Sequence, residues 1–479
     1  NNLGDLALHL TYIEHLAKGA QFWPDNPIFA GERLHYPLGV DLLNGLLTLA
    51  GLDVVRGLIW VGLLGSLMTG YLLWRWGGGF TLAGFLWNGG LAGFAVWQGG
   101  LYDYQAELAW KSLPLSMLVT QRGLLYALPA GLLLLWQWRR RWLENAGPIM
   151  PRWVEVLLYA TLPLFHLHTF LFLSLLLGCW GIWPNFPFRR DVIVTVALAF
   201  IPASLLVWLV SGGPGATSGL HFRPGWMQGD QNFFAFWMLN FGGWLVLAAA
   251  LLWRLARDRD SAAWKLVGPA CGIFLLCCFV MFSHWPWDNT KLMIWSYLIA
   301  LPFLGRLIEP WVWPTRALAC VCLFTSGSIS IMAGMSGSGH TLASRSELAK
   351  VRVATADLSP NATFAAEPTY NHPLLLIGHK LVLGYDGHLW SHGIDYRPRQ
   401  QELRQLMKGG QDWQETARRL GVRYLFWGDR EKAAYPDSWH PWTAFEPVAS
   451  GTWGSIYDVE AIPPRLDHPI RKLFSPLKL

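Results

Sequence analysis

Long apolar runs constrain this chain more than any other feature of its sequence. Ten of them approach the length that a helix needs to cross about 30 Å of hydrocarbon. Of all residues, 53% are hydrophobic and only 14% are charged, a membrane composition rather than that of a soluble domain. The runs therefore predict an α-helical integral membrane protein with about ten transmembrane helices. They lie at residues 54–76, 79–98, 119–138, 153–166, 168–187, 191–211, 232–253, 264–282, 292–308 and 317–335.

Arginines in the short connecting loops indicate how these helices alternate across the membrane. They fall in every second loop, and Lys and Arg concentrate in cytoplasmic loops. Because this placement explains the basic excess, the net charge of +6 calls for no nucleic-acid partner. An even number of spans puts both ends outside, so we expect a cleaved signal or, preferably, one further helix before residue 1. The arginines are Arg75, Arg139, Arg140, Arg141, Arg152, Arg189, Arg190, Arg254, Arg257, Arg259, Arg306 and Arg316.

Composition predicts three regions along the chain. Residues 1–53 are polar and predict a first extracytoplasmic loop with amphipathic helices, and residues 54–336 form the transmembrane domain. Residues 337–479 have the composition of a soluble domain of ordinary size and predict a small extracytoplasmic α/β domain. Its expected helices are Arg399–Met407 and Trp413–Leu420, each ended by glycine, and its expected strands are Leu374–Ile377, Leu381–Leu383 and Val422–Trp427.

Ionisable side chains at the predicted outer edge of the membrane are the candidates for function. Charges at membrane depth are unfavourable and usually face a cavity or a partner. Five clusters of them fall on the same predicted side, which favours one shared outer cavity. They contain Asp5 with His9; Asp103, Glu107 and Lys111 with Arg122; His166 with His168; Arg223; and Asp288 with Lys291.

Several of these groups also have a purely structural interpretation. Asp5 could cap a helix that begins at residue 6, since Asp is a good N-cap. Arg122 and Lys291 could extend to the outer head groups. Asp288 and Lys291 could instead pair with each other across one helical turn.

Four histidines raise the question of a metal site. His166 and His168 could coordinate a metal, or they could bond to the backbone at the membrane interface. His388 and His392 have a spacing that can bind zinc on a helix, but the glycines around them favour a loop. A glycine-rich loop over residues 384–393 that folds over the outer cavity is the interpretation that we prefer. No metal is assigned from these patterns.

The layout resembles the GT-C superfamily of integral-membrane glycosyltransferases. An acid in the first outer loop, many spans with outward polar clusters and a terminal soluble domain carry the resemblance, which covers the whole chain. Specific strings are similar to those of a group of bacterial multi-pass proteins with a GT-C-like layout. These strings are Gly4-Asp5-Leu-Ala-Leu-His9, Phe22-Trp-Pro-Asp-Asn-Pro27, Thr120-Gln-Arg-Gly123, Trp287-Asp-Asn-Thr-Lys291 and Gly384-Tyr-Asp-Gly-His-Leu-Trp-Ser-His-Gly393.

The resemblance implies roles for the acids. Enzymes of this superfamily move a sugar from a polyprenyl-phosphate carrier to an acceptor on the outer face. By position Asp5 corresponds to the first-loop acid, the base that deprotonates the acceptor, and His9 is expected beside it one helical turn away. Asp103 and Glu107 fall where some members hold a second acid for a metal or the acceptor.

The chemistry of sugar transfer, a displacement at the anomeric carbon, suggests roles for the other candidate residues. A carboxylate must activate the nucleophile, and cations or a divalent metal such as Mg²⁺ or Mn²⁺ must take up charge on the leaving phosphate. The candidate phosphate-binding residues are Lys111, Arg122, Arg223 and Lys291, supported by His9, His166, His168, Asp288, His388 and His392.

We therefore expect an inverting glycosyltransferase of the bacterial inner membrane, with Asp5 as general base and both the active site and the C-terminal domain on the periplasmic face. Its expected partners are a polyprenyl-phosphate sugar and membrane lipids. Two alternatives stay open. A transporter or flippase of lipid-linked sugars would use the same cavity, although no paired broken-helix repeats are seen. A non-catalytic subunit of a membrane complex would keep the fold without the activity.

Overall fold

The computed structural model describes residues 4–19, 23–213, 220–259, 261–336, 339 and 341–463. Packing divides the chain into two compact units. The predicted boundaries at residues 53 and 336 stay a prediction. Phe22 and the helix expected before residue 1 lie outside the described residues. The first unit comprises Asn1–Pro24, Arg33–Leu342 and Ser391–Gly393, and the second comprises Asp25–Glu32, Ala343–Trp390 and Ile394–Leu479.

The regular structure described in the first unit is helical apart from one two-stranded antiparallel sheet. Its strands, β1 (Leu220–Phe222) and β2 (Val280–Phe282), are far apart in the chain. Short 3₁₀ or π turns precede or extend several helices. The helices are α1 (Leu6–Ala17), α2 (Gly39–Leu49), α3 (Val54–Leu86), α4 (Val96–Gly99), α5 (Leu124–Trp138), α6 (Arg152–Phe165), α7 (Leu167–Ile182), α8 (Arg189–Ser211), α9 (Phe233–Phe241), α10 (Gly243–Arg257), α11 (Ser261–Cys277), α12 (Thr290–Ile308) and α13 (Trp313–Met335).

Apolar helices make this a membrane protein. Among the described residues, four helices are long and apolar enough to cross a bilayer: α3, α8, α13, and α12 with the turn before it. Helices α9 and α10 form a further candidate, bent by 86° at their junction, and α2, α7 and α11 are shorter apolar helices. The predicted number of ten spans stays a prediction.

Breaks in the helices fall between predicted apolar runs at two places and inside a predicted run at a third. Helix α3 is interrupted at Gly77 and Gly78, where Gly78 has a φ of 71° that favours glycine. Within the predicted run 79–98, α3 ends at Leu86 and helical structure resumes only in a short turn before α4. Just after the end of α3, the Asn88 side chain bonds the backbone of residues 111 and 113. The break predicted between α6 and α7 is confirmed at His166, which has an extended backbone.

Helix α12 is the central helix of the first unit. In the most apolar 18-residue stretch of this helix and the turn before it, 83% of the residues are buried. The corresponding share is 22–33% in the other three long apolar helices. It packs against α3, α7, α10 and α11. A helix that is apolar on all sides is stable only when it is surrounded in this way, either by protein or by lipid.

Arginines predicted for one side of the membrane meet at one end of the helices. The Arg139 guanidinium lies 5.3 Å from the ring centres of both Trp76 and Phe303. Arg306, at the end of α12, lies 5.7 Å from the same Phe303 ring. The other end of α12 begins at Thr290, beside the predicted site residues. Which side of the membrane each end faces stays a prediction.

The second unit is a mixed α/β structure. Its five-stranded sheet has the order β4-β3-β5-β7-β6, with β3 parallel to β4 and β5, and β7 antiparallel to β5 and β6. The strands are β3 (Thr363–Ala365), β4 (Lys380–Leu381), β5 (Val422–Trp427), β6 (Ala449–Gly451) and β7 (Gly454–Asp458). The helices are α14 (Arg345–Ala354), α15 (Pro373–Leu376), α16 (Asp386–Ser391), α17 (Arg397–Lys408), α18 (Trp413–Arg419) and α19 (Asp429–Ala434).

Local predictions for this part of the chain are partly confirmed. The helices predicted at 399–407 and 413–420 correspond to α17 and α18, and β5 has the predicted bounds. The strand predicted at Leu374–Ile377 is wrong, because His372 caps a helix there and Pro373 occupies its first position. The loop predicted for residues 384–393 is wrong in part, since α16 occupies its middle.

Candidate functional site

Asp5 stands at the start of α1 but its side chain does not cap that helix. The Asp5 carboxylate instead accepts a hydrogen bond of 2.8 Å from Gln121 Nε2. The interpretation of Asp5 as a helix cap is therefore wrong. The half-buried carboxylate is held by a neutral donor from a distant part of the chain.

The turn at residues 120–123 joins the Asp5 region to the break between α6 and α7. A Cβ on Gly123 would lie 2.0 Å from the carbonyl oxygen of Phe165 and 3.9 Å from the Cβ of His166. Such a close approach requires glycine. The turn therefore contacts Asp5 through Gln121 and packs against the backbone next to His166 through Gly123.

His9 forms a buried ion pair with Asp41 from α2. Its Nδ1 donates to the two Asp41 oxygens at 2.9 Å and 3.0 Å. Both residues are buried, with exposed fractions of 3% for His9 and 1% for Asp41. Burial opposes the charge on His9, but Asp41 and then Asp5 raise the pKa of His9 above its ordinary value. The Nε2 atom of His9 has no hydrogen-bond partner among the described residues.

We expect the stability of the first unit to fall as the pH rises through the folded-state pKa of His9. Because this pKa is raised above its unfolded value near 6.5, the pair stabilises the fold fully below that value and loses its contribution above the folded pKa. Thermal unfolding in detergent from about pH 5 to about pH 9 measures the effect. Asp41→Asn should flatten this dependence, and an unchanged profile in the variant would assign it to another group.

Arg122 is buried rather than extended to the head groups. Its Nη2 donates to the carbonyl oxygen of Leu58 at 2.8 Å, and 7% of the residue is exposed. It lies close enough to His9 to oppose protonation of that ring. The snorkelling interpretation of Arg122 is therefore wrong.

Asp288 and Lys291 form the ion pair that their spacing predicts. Lys291 Nζ lies 2.9 Å from Asp288 Oδ1, and each side chain is 12% exposed. Ser283 Oγ donates to the other Asp288 oxygen at 2.8 Å. His168 Nε2 lies 3.9 Å from that same oxygen, which brings this histidine of α7 to the ion pair at the start of α12.

His166 holds the break between the two helices. Its Nδ1 accepts a hydrogen bond from the Thr169 backbone N–H, so it caps α7. An Nδ1 that accepts leaves Nε2 as the N–H donor of a neutral ring. This Nε2 is buried and has no hydrogen-bond partner in the described part of the chain. The His166 and His168 ring centres are 5.7 Å apart.

Tyr36 packs between several of these groups. Its ring centre lies 5.1 Å from Tyr12, 6.0 Å from His9 and 5.3 Å from His392. His392, predicted as a supporting residue, therefore belongs to this cluster. His388, the other histidine of the pair considered for zinc, belongs to the second unit, where it packs on the rings of Tyr370 and Tyr385.

Electrostatics joins the two halves of the cluster at Tyr36. Burial, then Asp5 and Asp41, raise the pKa of Tyr36 well above its ordinary value, and Asp288 contributes as well. Asp5 and Asp288, which belong to different predicted clusters, therefore act on the same phenol. The contacts of Gly123 with residues 165 and 166, and of His168 with Asp288, connect these clusters directly. Three of the five predicted clusters, those of Asp5, His166 and Asp288, therefore meet in one region.

The other predicted residues have no described contact with this region. The Lys111 ammonium donates to the carbonyl oxygen of Ala106, 2.6 Å away in its own loop. Asp103 accepts a hydrogen bond from Ser330 of α13, and Glu107 is exposed. Arg223 is exposed beyond β1. Across the described ranges, no hydrogen bond or ion pair connects these side chains to Asp5 or Lys291.

The described residues contain no ligand set for the divalent cation considered above. Within the residues that the structure describes, no three or more His, Cys, Asp or Glu side chains are grouped so as to hold a metal ion. His388 and His392 lie in different units. We derive no chemical step through Mg²⁺ or Mn²⁺.

Sequence reasoning missed three members of this region. Gln121 stands in a quoted string without an assigned role, and Tyr36 is an uncharged residue of the polar first region with no assigned role. Asp41 left the clearest signal: it is the single acid in the apolar helix α2. A lone charge on such a helix usually has a partner.

Comparison with solved structures identifies the fold. Archaeal oligosaccharyltransferase AglB from Archaeoglobus fulgidus, in complex with an inhibitory peptide and a dolichol-phosphate, matches 97% of this chain and 71% of its own, with 10% identity and a TM-score of 0.51. An oligosaccharyltransferase of the same organism in its apo form matches 89% and 66%, with 12% identity and a TM-score of 0.42. No family model and no curated protein matches. The chain therefore has an AglB-like fold, which supports the predicted GT-C fold.

Proposed function

We propose that this chain is a membrane glycosyltransferase that moves a sugar from a polyprenyl-phosphate carrier to an acceptor, with Asp5 as general base. The GT-C fold supports a glycosyltransferase-like role. AglB is in complex with a dolichol-phosphate, and we infer a lipid carrier of the same class for this chain. The observation that carries the proposal is a series of contacts from Asp5 to Lys291. Gln121 donates to Asp5, Gly123 packs against the break at His166, and His168 lies 3.9 Å from the Asp288 carboxylate that holds Lys291.

The proposed reaction is a single displacement at the anomeric carbon. Asp5 takes the proton from the acceptor nucleophile as that atom bonds to the carbon. The bond from the carbon to the phosphate oxygen breaks, and its electron pair stays on the polyprenyl phosphate. Attack from the side opposite the leaving group inverts the configuration. Gln121 holds the Asp5 carboxylate during this step.

Charge that develops on the leaving phosphate needs cationic and neutral donors. Lys291 is the proposed cation, because Asp288 holds its ammonium in place beside His168. The buried Nε2–H of His166 is a proposed neutral donor. Donors that are already in position stabilise such charge without reorganisation.

Of the remaining predicted residues, Arg122 lies beside His9 and the others have no described contact with this centre; their predicted roles are kept as proposals. Asp103 and Glu107 are the candidates for a second acid that binds the acceptor. Lys111, Arg122 and Arg223 are the candidates for further contacts with the carrier phosphate. The arginine-rich end of the helices is proposed to face the cytoplasm, which puts Asp5 on the periplasmic side of a bacterial inner membrane.

Reconstitution separates this proposal from the two alternatives. Purified protein is placed in liposomes that contain a polyprenyl phosphate carrying a radioactive hexose, with mixed peptide, oligosaccharide and lipid acceptors. We expect the label to leave the carrier and free polyprenyl phosphate to accumulate. Label that crosses the bilayer while still attached to its lipid would overturn the proposal in favour of a transporter. Carrier lipid that binds but is neither cleaved nor moved, across the common hexoses, would indicate a non-catalytic subunit.

A further inference from the structure

A groove of about 490 Å³ lies where α12 ends and α13 begins. Its floor forms at the interruption of α3, where that helix approaches α12 closely. A Cβ on Gly77 would lie 2.6 Å from the Pro302 ring, and a Cβ on Gly305 would lie 3.1 Å from the ring of Phe80. The groove is therefore a consequence of how these two helices pack.

Two guanidinium groups border the groove without a carboxylate partner in the described part of the chain. Arg316 Nη1 donates to the backbone carbonyl of Glu309 at 3.3 Å. Arg306 lies over the Phe303 ring, 5.7 Å from its centre. With the single carboxylate of Glu309, the lining carries an excess of positive charge. The planar fork of arginine matches phosphate oxygens in geometry.

The rest of the lining is suited to a lipid. Phe80, Ala317 and Cys320 give an apolar wall, and the exposed Trp313 stands at the rim. Tryptophan is typical of the boundary between hydrocarbon and head groups. An apolar wall below a cationic rim has the same order as the acyl chain and phosphate of a phospholipid.

The groove lies far from the proposed transfer site. Helix α12 has 19 residues and is therefore about 28 Å long, close to the thickness of the hydrocarbon core. Lys291 stands at its first turn and Arg306 at its last. A lipid in the groove is therefore distinct from the carrier lipid proposed beside Lys291.

We propose that this groove binds an anionic phospholipid, with Arg306 and Arg316 on the head-group phosphate and an acyl chain along Ala317 and Cys320. Charge complementarity and the apolar wall favour a lipid over a free phosphate. The site does not depend on transferase activity. It gives the end of the helical unit opposite Asp5 a specific lipid contact.

Photocrosslinking tests the site in the intact protein. The chain is placed in nanodiscs with phosphatidylglycerol that carries a diazirine on an acyl chain, and labelled peptides are mapped by mass spectrometry. We expect labelling around residues 317–320, reduced roughly fivefold for each arginine removed in Arg306→Gln/Arg316→Gln. Arg189→Gln/Arg190→Gln, a pair of exposed arginines at the start of α8, should leave it unchanged.

Four results would overturn the site. The first is equal labelling by the phosphatidylcholine analogue, which carries no net charge. The second is undiminished labelling of Arg306→Gln/Arg316→Gln. The third is displacement of the label by inorganic phosphate alone, which would assign the arginines to a free ion. Finally, Ala317→Phe fills the groove without changing charge, so retained labelling in that variant would put the acyl chain elsewhere.

Discussion

Replacing Asp5 with asparagine is expected to lower the rate of sugar transfer by roughly 10²–10⁴-fold, the usual contribution of a general base. Asparagine keeps a carbonyl oxygen that can accept the hydrogen bond from Gln121 Nε2, so the local structure should survive. It cannot take a proton. Binding of the carrier lipid should therefore be unchanged, and only turnover should fall. Single-turnover release of labelled sugar, together with lipid binding to the same sample, measures both quantities.

Asp53→Asn is the matched control for that experiment. Asp53 caps α3 by accepting from the Arg56 N–H at 3.1 Å, it is exposed, and asparagine caps equally well. We expect full turnover in this variant. Full turnover in Asp5→Asn, with loss in Asp103→Asn, would move the base to the second outer loop. Loss of lipid binding in Asp5→Asn would mean that the carboxylate serves binding rather than proton transfer.

Removing the Glu431 carboxylate is expected to destabilise the second unit by about 3–5 kcal/mol, as is usual when one partner of a buried ion pair is lost. Both Glu431 and His372 are fully buried, 3.2 Å apart. The carboxylate also accepts from the backbone N–H groups of Glu367 and Gly428, each at 2.9 Å. Glu431→Ala leaves these three donors unsatisfied at once. Hydrogen exchange of β5 in the full-length protein measures the effect locally.

Glu402→Ala is the control for that substitution. It removes an ion pair of similar chemistry, since Glu402 lies 3.4 Å from Arg419, but both side chains are exposed. Surface pairs contribute about 0–1 kcal/mol, so β5 exchange should barely change. Equal effects of the two substitutions would mean that burial of the Glu431 pair contributes nothing.

The Glu431 pair also makes the second unit sensitive to acid. Burial opposes the charge on Glu431, but the hydrogen bond and the positive charge of His372 hold the pKa of this carboxyl below its ordinary value. A lowered pKa contributes stability above the unfolded value that is lost as the pH falls through the folded one. Glu431→Gln should remove this part of the acid sensitivity while leaving the rest.

Local patterns predicted the elements whose signals are local. Apolar runs found the major helices, and glycines after α17 and α18 set their ends. The strand predicted wrongly at Leu374–Ile377 also depended on a local pattern. Three leucines read equally well as a buried strand or as a helix, and His372 and Pro373 decided for the helix. The early end of α3 depended instead on hydrogen bonds from Asn88 to residues more than 20 positions away.

The candidate site was predictable only as far as charge alternation reaches. Alternation put Asp5, His166 and Asp288 on one side of the membrane, and the structure brings them to one region. Alternation cannot distinguish residues within that side. Lys111 and Arg223 carried the same signal and lie elsewhere. The roles of Asp41 and Tyr36 depend on how α1 packs on α2, which no periodicity in either helix specifies.

The burial of α12 has a consequence for biogenesis. Its neighbours α3, α7, α10 and α11 all precede it in the chain, so synthesis delivers them to the membrane first. Helices that are stable in lipid by themselves can then associate. α12 is inserted after them and packs into the space that they surround. Truncation before Thr290 should therefore leave inserted helices around an unfilled centre, a natural substrate for membrane quality control.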